Sequence, residues 1–182
     1  MKMTKRILAL VIVLILCVSF TGSAFASGLS KFRDKQSGGE TAAFASTQSF
    51  LDAMDAEGII YTYHGLDSDN DDYVEVVYTG DYCDSIDINI YFDESGTEAN
   101  FRFWNVIDFN SVDYREILTV VNQLNSDYKW AKFVVDTSDY SVTASIDTLF
   151  PFGDAGEICL ETLNQIVNIA DLGYHALESY IK

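Results

Sequence analysis

The feature that most constrains the fold of this chain is a strict alternation of apolar and polar residues between positions 85 and 92. In the segment SIDINIYF, every second side chain is large and apolar, namely Ile86, Ile88, Ile90 and Phe92. Successive side chains of a β-strand point to opposite faces, so this pattern predicts a strand that is covered on one side only. Such strands are typical of antiparallel sheets that pack one face on a core.

Three more strand candidates surround this segment at short intervals. They are rich in β-branched and aromatic residues and lie at 59–64, 73–79 and 97–108. Because the connections are too short for a crossover, the four strands predict an antiparallel meander. A second hairpin is predicted at 132–136 and 140–147, with a polar turn between its two strands.

Apolar residues at helical spacing predict two helices around the meander. The first covers about 46–57, and Gly58 is a plausible stop. The second follows the fourth strand, with Asn110 or Ser111 as its cap and an apolar stripe that begins at Ile117.

A third and longest helix closes the chain. Asp154 and Glu157 have the spacing of a capping box, and an apolar stripe continues from there to about Ser179. The predicted order is α-β-β-β-β-α-β-β-α. We therefore expect an α+β fold, in which an antiparallel sheet has three helices packed on one face.

Residues 1–26 contain the three parts of a secretory signal peptide. A basic head precedes the apolar run Ile7–Val18, and small residues lead to Ala26. The run is shorter than the roughly 20 apolar residues that a transmembrane helix needs. We expect cleavage after Ala26 and a secreted or extracytoplasmic protein without membrane insertion, with an uncleaved anchor as the alternative.

The mature chain is expected to be strongly acidic. Residues 27–41 are polar and glycine-rich, which predicts a flexible tether before one domain at 42–182. The chain has 28 acidic and 11 basic residues, and three of the basic ones but no acidic one lie in the signal segment. The mature net charge is therefore −20. Nucleic acid and anionic headgroups repel such a chain, so we expect neither as a partner.

Two cysteines, Cys83 and Cys159, would remain after loss of the signal segment. In an exported protein they could form one disulfide, or both could be free thiols in the core. Cys159 lies on the apolar side of the third predicted helix, where cysteine behaves as a small hydrophobic residue. Both interpretations stay open at this point.

Two segments in the second half of the chain resemble the YbjN family. ILTVVNQLNSDYKWAKFVVD, at 117–136, resembles the family's helix–loop–strand segment, and AGEICLETLNQIVNIADLGYHAL, at 155–177, is similar to its closing helix. The order of elements agrees over roughly 44–181. The resemblance implies the fold of type III secretion chaperones, which often dimerise and bind polypeptides. It also implies a sensory transduction regulator without established enzymatic activity, although many family members lack a signal peptide.

The acidic hexapeptide DSDNDD raises the question of a calcium site. Asp67, Asp69 and Asp71 match the first three ligand positions of an EF-hand loop. Asp72 stands where the loop needs glycine, and Tyr78 stands where it needs the closing glutamate. A hairpin tip rich in Asp and Asn also follows from turn propensity alone. We favour the turn and keep a calcium-responsive surface protein as an alternative.

The sequence contains no motif of a known catalytic class. Its two histidines, His64 and His175, have no cysteine or serine motif beside them, and no zinc, nucleophile-elbow or phosphate-loop pattern occurs. We therefore predict a protein that is not an enzyme and needs no cofactor. An enzyme or small-ligand binder of unrecognised type is the alternative.

The sheet side opposite Ile88 and Phe101 is the best candidate for a binding surface. If the alternation holds, this side carries aromatic, aliphatic and arginine side chains, namely Tyr73, Tyr91, Arg102, Trp104 and Val106, with Val77 and Val134 alongside. Aromatic residues and arginine dominate protein-binding hot spots. We expect a non-enzymatic module, chaperone-like or regulatory, that binds a protein, a peptide or a second copy of itself.

Overall fold

The computed structural model describes residues 41–151 and 154–182. The predicted signal peptide at 1–26 lies outside these residues, and so does the predicted tether except for Thr41. The described elements follow the predicted order α-β-β-β-β-α-β-β-α, and the fold is α+β.

All six strands belong to one antiparallel sheet, in the order β1-β2-β3-β4-β6-β5. The strands are β1 (Thr62–Leu66), β2 (Asp72–Tyr78), β3 (Ile86–Phe92), β4 (Glu98–Asp108), β5 (Lys132–Asp136) and β6 (Ser141–Leu149). The helices are α1 (Ala45–Glu57), α2 (Tyr114–Asp127) and α3 (Ala155–Leu177). No helix in the described parts of the chain is both long and apolar enough to cross a bilayer.

The helices cover one face of the sheet, which we call the covered face. Ile88 and Phe101 are completely buried there, as the alternation predicted. The long helix α3 packs against β3, β4 and β6, while α1 lies on α3 and α2 lies on β5. Gly156 permits a close approach of α1 and α3, because a Cβ atom at this position would lie 2.6 Å from the carbonyl oxygen of Ser49. The opposite side is the open face.

Asp154 and Asn110 lie at the predicted cap positions, but neither makes the capping hydrogen bond that was expected of it. Asp154 precedes α3 but makes no side-chain hydrogen bond to its first turn. The amide of Gly156 instead donates to Oγ of Ser49 on α1 at 3.1 Å, so a tertiary contact replaces the local cap. Asn110 caps only a short 3₁₀ turn, Ser111–Asp113, and does so without a side-chain bond before α2 begins.

The first predicted strand is displaced. It was expected at 59–64, whereas β1 covers Thr62–Leu66. Gly65 adopts a φ of 79°, and the register with β2 shifts between Tyr63 and Gly65. A bulge of this kind needs a left-handed residue, which glycine adopts without steric cost. Hydrophobic alternation alone does not mark such a position.

A second irregularity overturns the predicted placement of Val106. The register of β4 with β6 shifts between Phe103 and Ile107, and Asn105 has a φ of 51°. Alternation breaks where extra residues enter one strand of a pair. Val106, which was predicted on the open face, is therefore only 3% exposed and belongs to the hydrophobic core.

Candidate binding face

In the middle of the open face, the strand register arranges the side chains in three rows that run across the strands. The first row is aromatic, the second is polar and charged, and the third is largely apolar. Four of the five predicted binding residues lie in these rows, namely Tyr73, Tyr91, Arg102 and Trp104.

The first row is an aromatic ladder of His64, Tyr73 and Tyr91 on β1, β2 and β3. The ring centroids of His64 and Tyr73 are 4.4 Å apart, and those of Tyr73 and Tyr91 are 5.1 Å apart. The interplanar angles are 11° and 12°. These distances match the spacing of neighbouring strands, about 4.8 Å, so each ring faces the next one. The ring of Tyr73 is therefore covered on both faces by its two neighbours.

Hydrogen bonds tie the aromatic ladder to the polar row beside it. The hydroxyl of Tyr73 donates to Oδ1 of Asn89, and Nε2 of His64 lies 3.1 Å from Oε2 of Glu75. Burial, followed by the negative charge of Glu75, raises the pKa of Tyr73 to about 12. The hydroxyl of Tyr73 therefore stays protonated at neutral pH and acts as a fixed donor.

Arg102 lies at the centre of the polar row. Its Nη1 lies 2.7 Å from Oδ1 of Asp147 on β6, and its Nη2 donates to Oδ1 of Asn100 at 3.2 Å. Nζ of Lys132 on β5 lies 3.7 Å from the other carboxylate oxygen of Asp147. The guanidinium of Arg102 is thus held in one orientation before any partner arrives, which reduces the entropy lost on binding.

The third row is an apolar stripe formed by Val77 on β2, Trp104 on β4 and Val134 on β5. These side chains are 47%, 50% and 54% exposed. The strand register places Val77 beside Asp87 and Val134 beside Thr143. Trp104 lies between them at the start of the irregular stretch of β4. Exposed apolar side chains gathered in one line indicate a contact surface, whereas single scattered ones do not.

Sequence reasoning missed Asp147 and Lys132 as parts of this face. The alternation at 140–147 places Asp147 on the same side as Thr143, but it does not show which strand lies next to β6. In the chain, β5 comes between β4 and β6, whereas in the sheet β6 lies between β4 and β5. The ion pair with Arg102 depends on that strand order and could not be found from local pattern.

The acidic hexapeptide at 67–72 forms the tip of the β1–β2 hairpin. Oδ1 of Asp67 accepts hydrogen bonds from the amides of Asp69 and Asp71 at 2.8 and 3.0 Å. Such bonds to its own backbone are the usual role of aspartate in a turn. Asp72 points into the protein and is completely buried. Among the residues that the structure describes, no group of three His, Cys, Asp or Glu is arranged to hold a metal ion.

Of the two interpretations of the cysteines, the structure has the free thiols, because Cys83 and Cys159 are both unpaired and buried. Cys83 lies in the β2–β3 loop, and its amide donates to Asp171 of α3 at 2.8 Å. Asp171 is twelve residues beyond Cys159 on the same helix. Twelve residues of α-helix are about 18 Å long. The Cα atoms of a disulfide lie within about 7 Å of each other, so these two cysteines are too far apart.

We expect iodoacetamide to modify both thiols once the chain is unfolded without reductant. Burial raises the pKa of Cys159 to about 12 and also raises the pKa of Cys83. Because the thiolate is the reactive form, the native chain should react slowly at pH 8. Mass spectrometry before and after unfolding measures both effects. A mature chain, which lacks Cys17, would contain the bridge if it gained no mass after unfolding without reductant.

Comparison with known proteins adds no relative: no protein-family model and no curated protein matches the sequence. The resemblance to the YbjN family therefore stays a prediction. The functional argument rests on the geometry of the open face.

Proposed function

We propose that this chain is an exported, non-enzymatic binding module whose open face receives a segment of another polypeptide. The observation that carries the proposal is the apolar stripe. Val77, Trp104 and Val134 are each about half exposed on a sheet whose other face is fully covered. Burying such side chains stabilises a complex by about 25 cal/mol for each Å² of apolar surface removed from water.

The polar row contributes to the specificity of the same face for its partner. Arg102 is already paired with Asp147, so a partner has to match an ordered arrangement of charges rather than a mobile one. Interfaces of this kind have an apolar centre and a polar rim. The mature net charge of −20 attracts polypeptides that carry lysine and arginine. The resemblance to the YbjN family, which implies a polypeptide-binding fold, is in accord with the proposal.

Replacement of Trp104 by alanine should weaken partner binding about tenfold or more, since buried tryptophans are frequent hot spots. Half of this side chain is exposed, so thermal stability should change little. Leu172→Ala on α3 is the matched control, because Leu172 is 41% exposed on the helical layer. The measurement is quantitative capture from the native secretome on the tagged chain, followed by titration of each captured protein.

If the wild-type and Trp104→Ala chains captured partners equally, the open face would not be the binding site. Light scattering on the same samples tests the alternative partner, a second copy of the chain. A doubled mass that is lost in the Trp104→Ala chain would assign the face to self-association.

A further inference from the structure

We infer that the open face receives an amphipathic helix that lies across the strands, with its apolar side on the apolar stripe and basic residues on its flank. This inference rests on the proposed binding function and adds the shape and the charge of the partner.

The spacing of the apolar stripe carries the argument for a helix. Val77 and Trp104 are two strands apart, and Trp104 and Val134 are again two strands apart. At about 4.8 Å for each strand, both intervals are about 10 Å. Residues i and i+7 of a helix lie on one face and are about 10.5 Å apart. A helix of about 15 residues can therefore contact all three side chains, whereas an extended segment along the strands crosses the stripe only once.

The edges of the sheet favour this arrangement over addition of a strand. On the edge strand β5, the amide of Phe133 donates to Oδ1 of Asn125 at 2.7 Å. The carbonyl oxygen of Phe133 accepts from Nδ2 of the same asparagine at 2.9 Å. The outward backbone groups at the centre of this edge are thus already occupied, which disfavours pairing with a new strand there. On the other edge strand, β1, the bulge at Gly65 interrupts the register.

The charged side chains beside the apolar stripe indicate which residues should flank the apolar side of the partner helix. Asp87 is exposed beside Val77 in the apolar stripe, and Glu75 lies in the adjacent polar row. Lysine or arginine beside the helix residue that contacts Val77 would meet these carboxylates, whereas the polar row beside Trp104 and Val134 carries Arg102 and Lys132. A second copy of the mature chain would bring the same net charge of −20 and meet repulsion instead.

A display library of random 20-residue peptides, selected on the whole tagged chain, tests the inference directly. Counter-selection uses the double variant Val77→Lys/Val134→Lys, whose replaced side chains are exposed and whose fold circular dichroism can verify. We expect enriched peptides to carry apolar residues seven apart with lysine or arginine beside them. They should become helical on binding, and the double variant should bind them at least tenfold more weakly. Leu172→Lys, on α3, should bind them like the wild type.

These experiments test the helical form of the partner separately from the proposal that the open face binds protein. Enriched peptides that bind in an extended form, or that bind the double variant equally well, would overturn the helical partner. So would a selection that enriches nothing over the double variant, or a self-association lost in the Trp104→Ala chain. In each case the secretome capture with Trp104→Ala still decides whether the open face binds protein.

Discussion

Replacing Asp171 by alanine should lower the free energy of unfolding by about 3 kcal/mol, since its buried carboxylate accepts several backbone hydrogen bonds at once. Asp171 lies on α3 and is 8% exposed. Its two oxygens accept from the amides of Asp81 and Tyr82 at 3.0 Å and from the amide of Cys83 at 2.8 Å. Alanine would leave these amides without an acceptor and release the β2–β3 loop from the helical layer.

Chemical denaturation with an unchanged m-value would measure this loss of stability. Asp139→Ala is the matched control, because the Asp139 carboxylate accepts a single amide, that of Ser141, at an exposed hairpin turn. That variant should lose less than about 1 kcal/mol. A loss below about 1 kcal/mol for Asp171→Ala as well would mean that the loop is held by other contacts, such as the stack of Tyr82 on His175 at 3.9 Å.

Gly80 explains why the β2–β3 loop can approach Asp171 so closely. A Cβ atom at Gly80 would lie 2.1 Å from Oδ1 of Asp171, a distance that no side chain could accept. Glycine at position 80 thus leaves the space that the Asp171 carboxylate occupies, although the two residues are 91 positions apart in the sequence. The carboxylate joins a loop of the sheet to the helix that covers it.

Local pattern predicted the fold of this chain because its decisive signals are local. The alternation around Ile88 identifies a strand with one buried face, and helical spacing identifies the segments that cover this face. These signals depend only on the backbone geometry of one element. For that reason the element order and the burial of Ile88 and Phe101 followed from the sequence.

The candidate site was only partly predictable, because it depends on pairings between distant elements. Trp104 was placed correctly, since it alternates with Phe103 before the strand becomes irregular. Val106 was not, because the left-handed backbone of Asn105 changes the register without changing the hydrophobic pattern. The role of Asp171 could not be predicted, because the chain has 28 acidic residues and nothing in the local sequence distinguishes this one.

Asp72 is a second buried carboxylate that the acidic composition concealed, and Asp72→Ala should also destabilise the fold by about 3 kcal/mol. The side chain is completely buried at the first residue of β2. Its oxygens accept from the hydroxyl of Tyr63 at 2.7 Å and from the amide of Phe44 at 2.8 Å. Asp72 therefore joins β1 to the start of α1, and its loss would remove the acceptor of both hydrogen bonds.

The same hairpin provides a matched control, because Asp69 lies three residues before Asp72 and is exposed. Asp69→Ala should change the free energy of unfolding by no more than about 0.5 kcal/mol, as is usual for surface positions. Denaturation curves of the two variants would then differ by more than 2 kcal/mol at equal charge, roughly the cost of unsatisfied buried groups. If the two curves coincide, Asp72 does not anchor α1, and the acidic hexapeptide acts only as a turn.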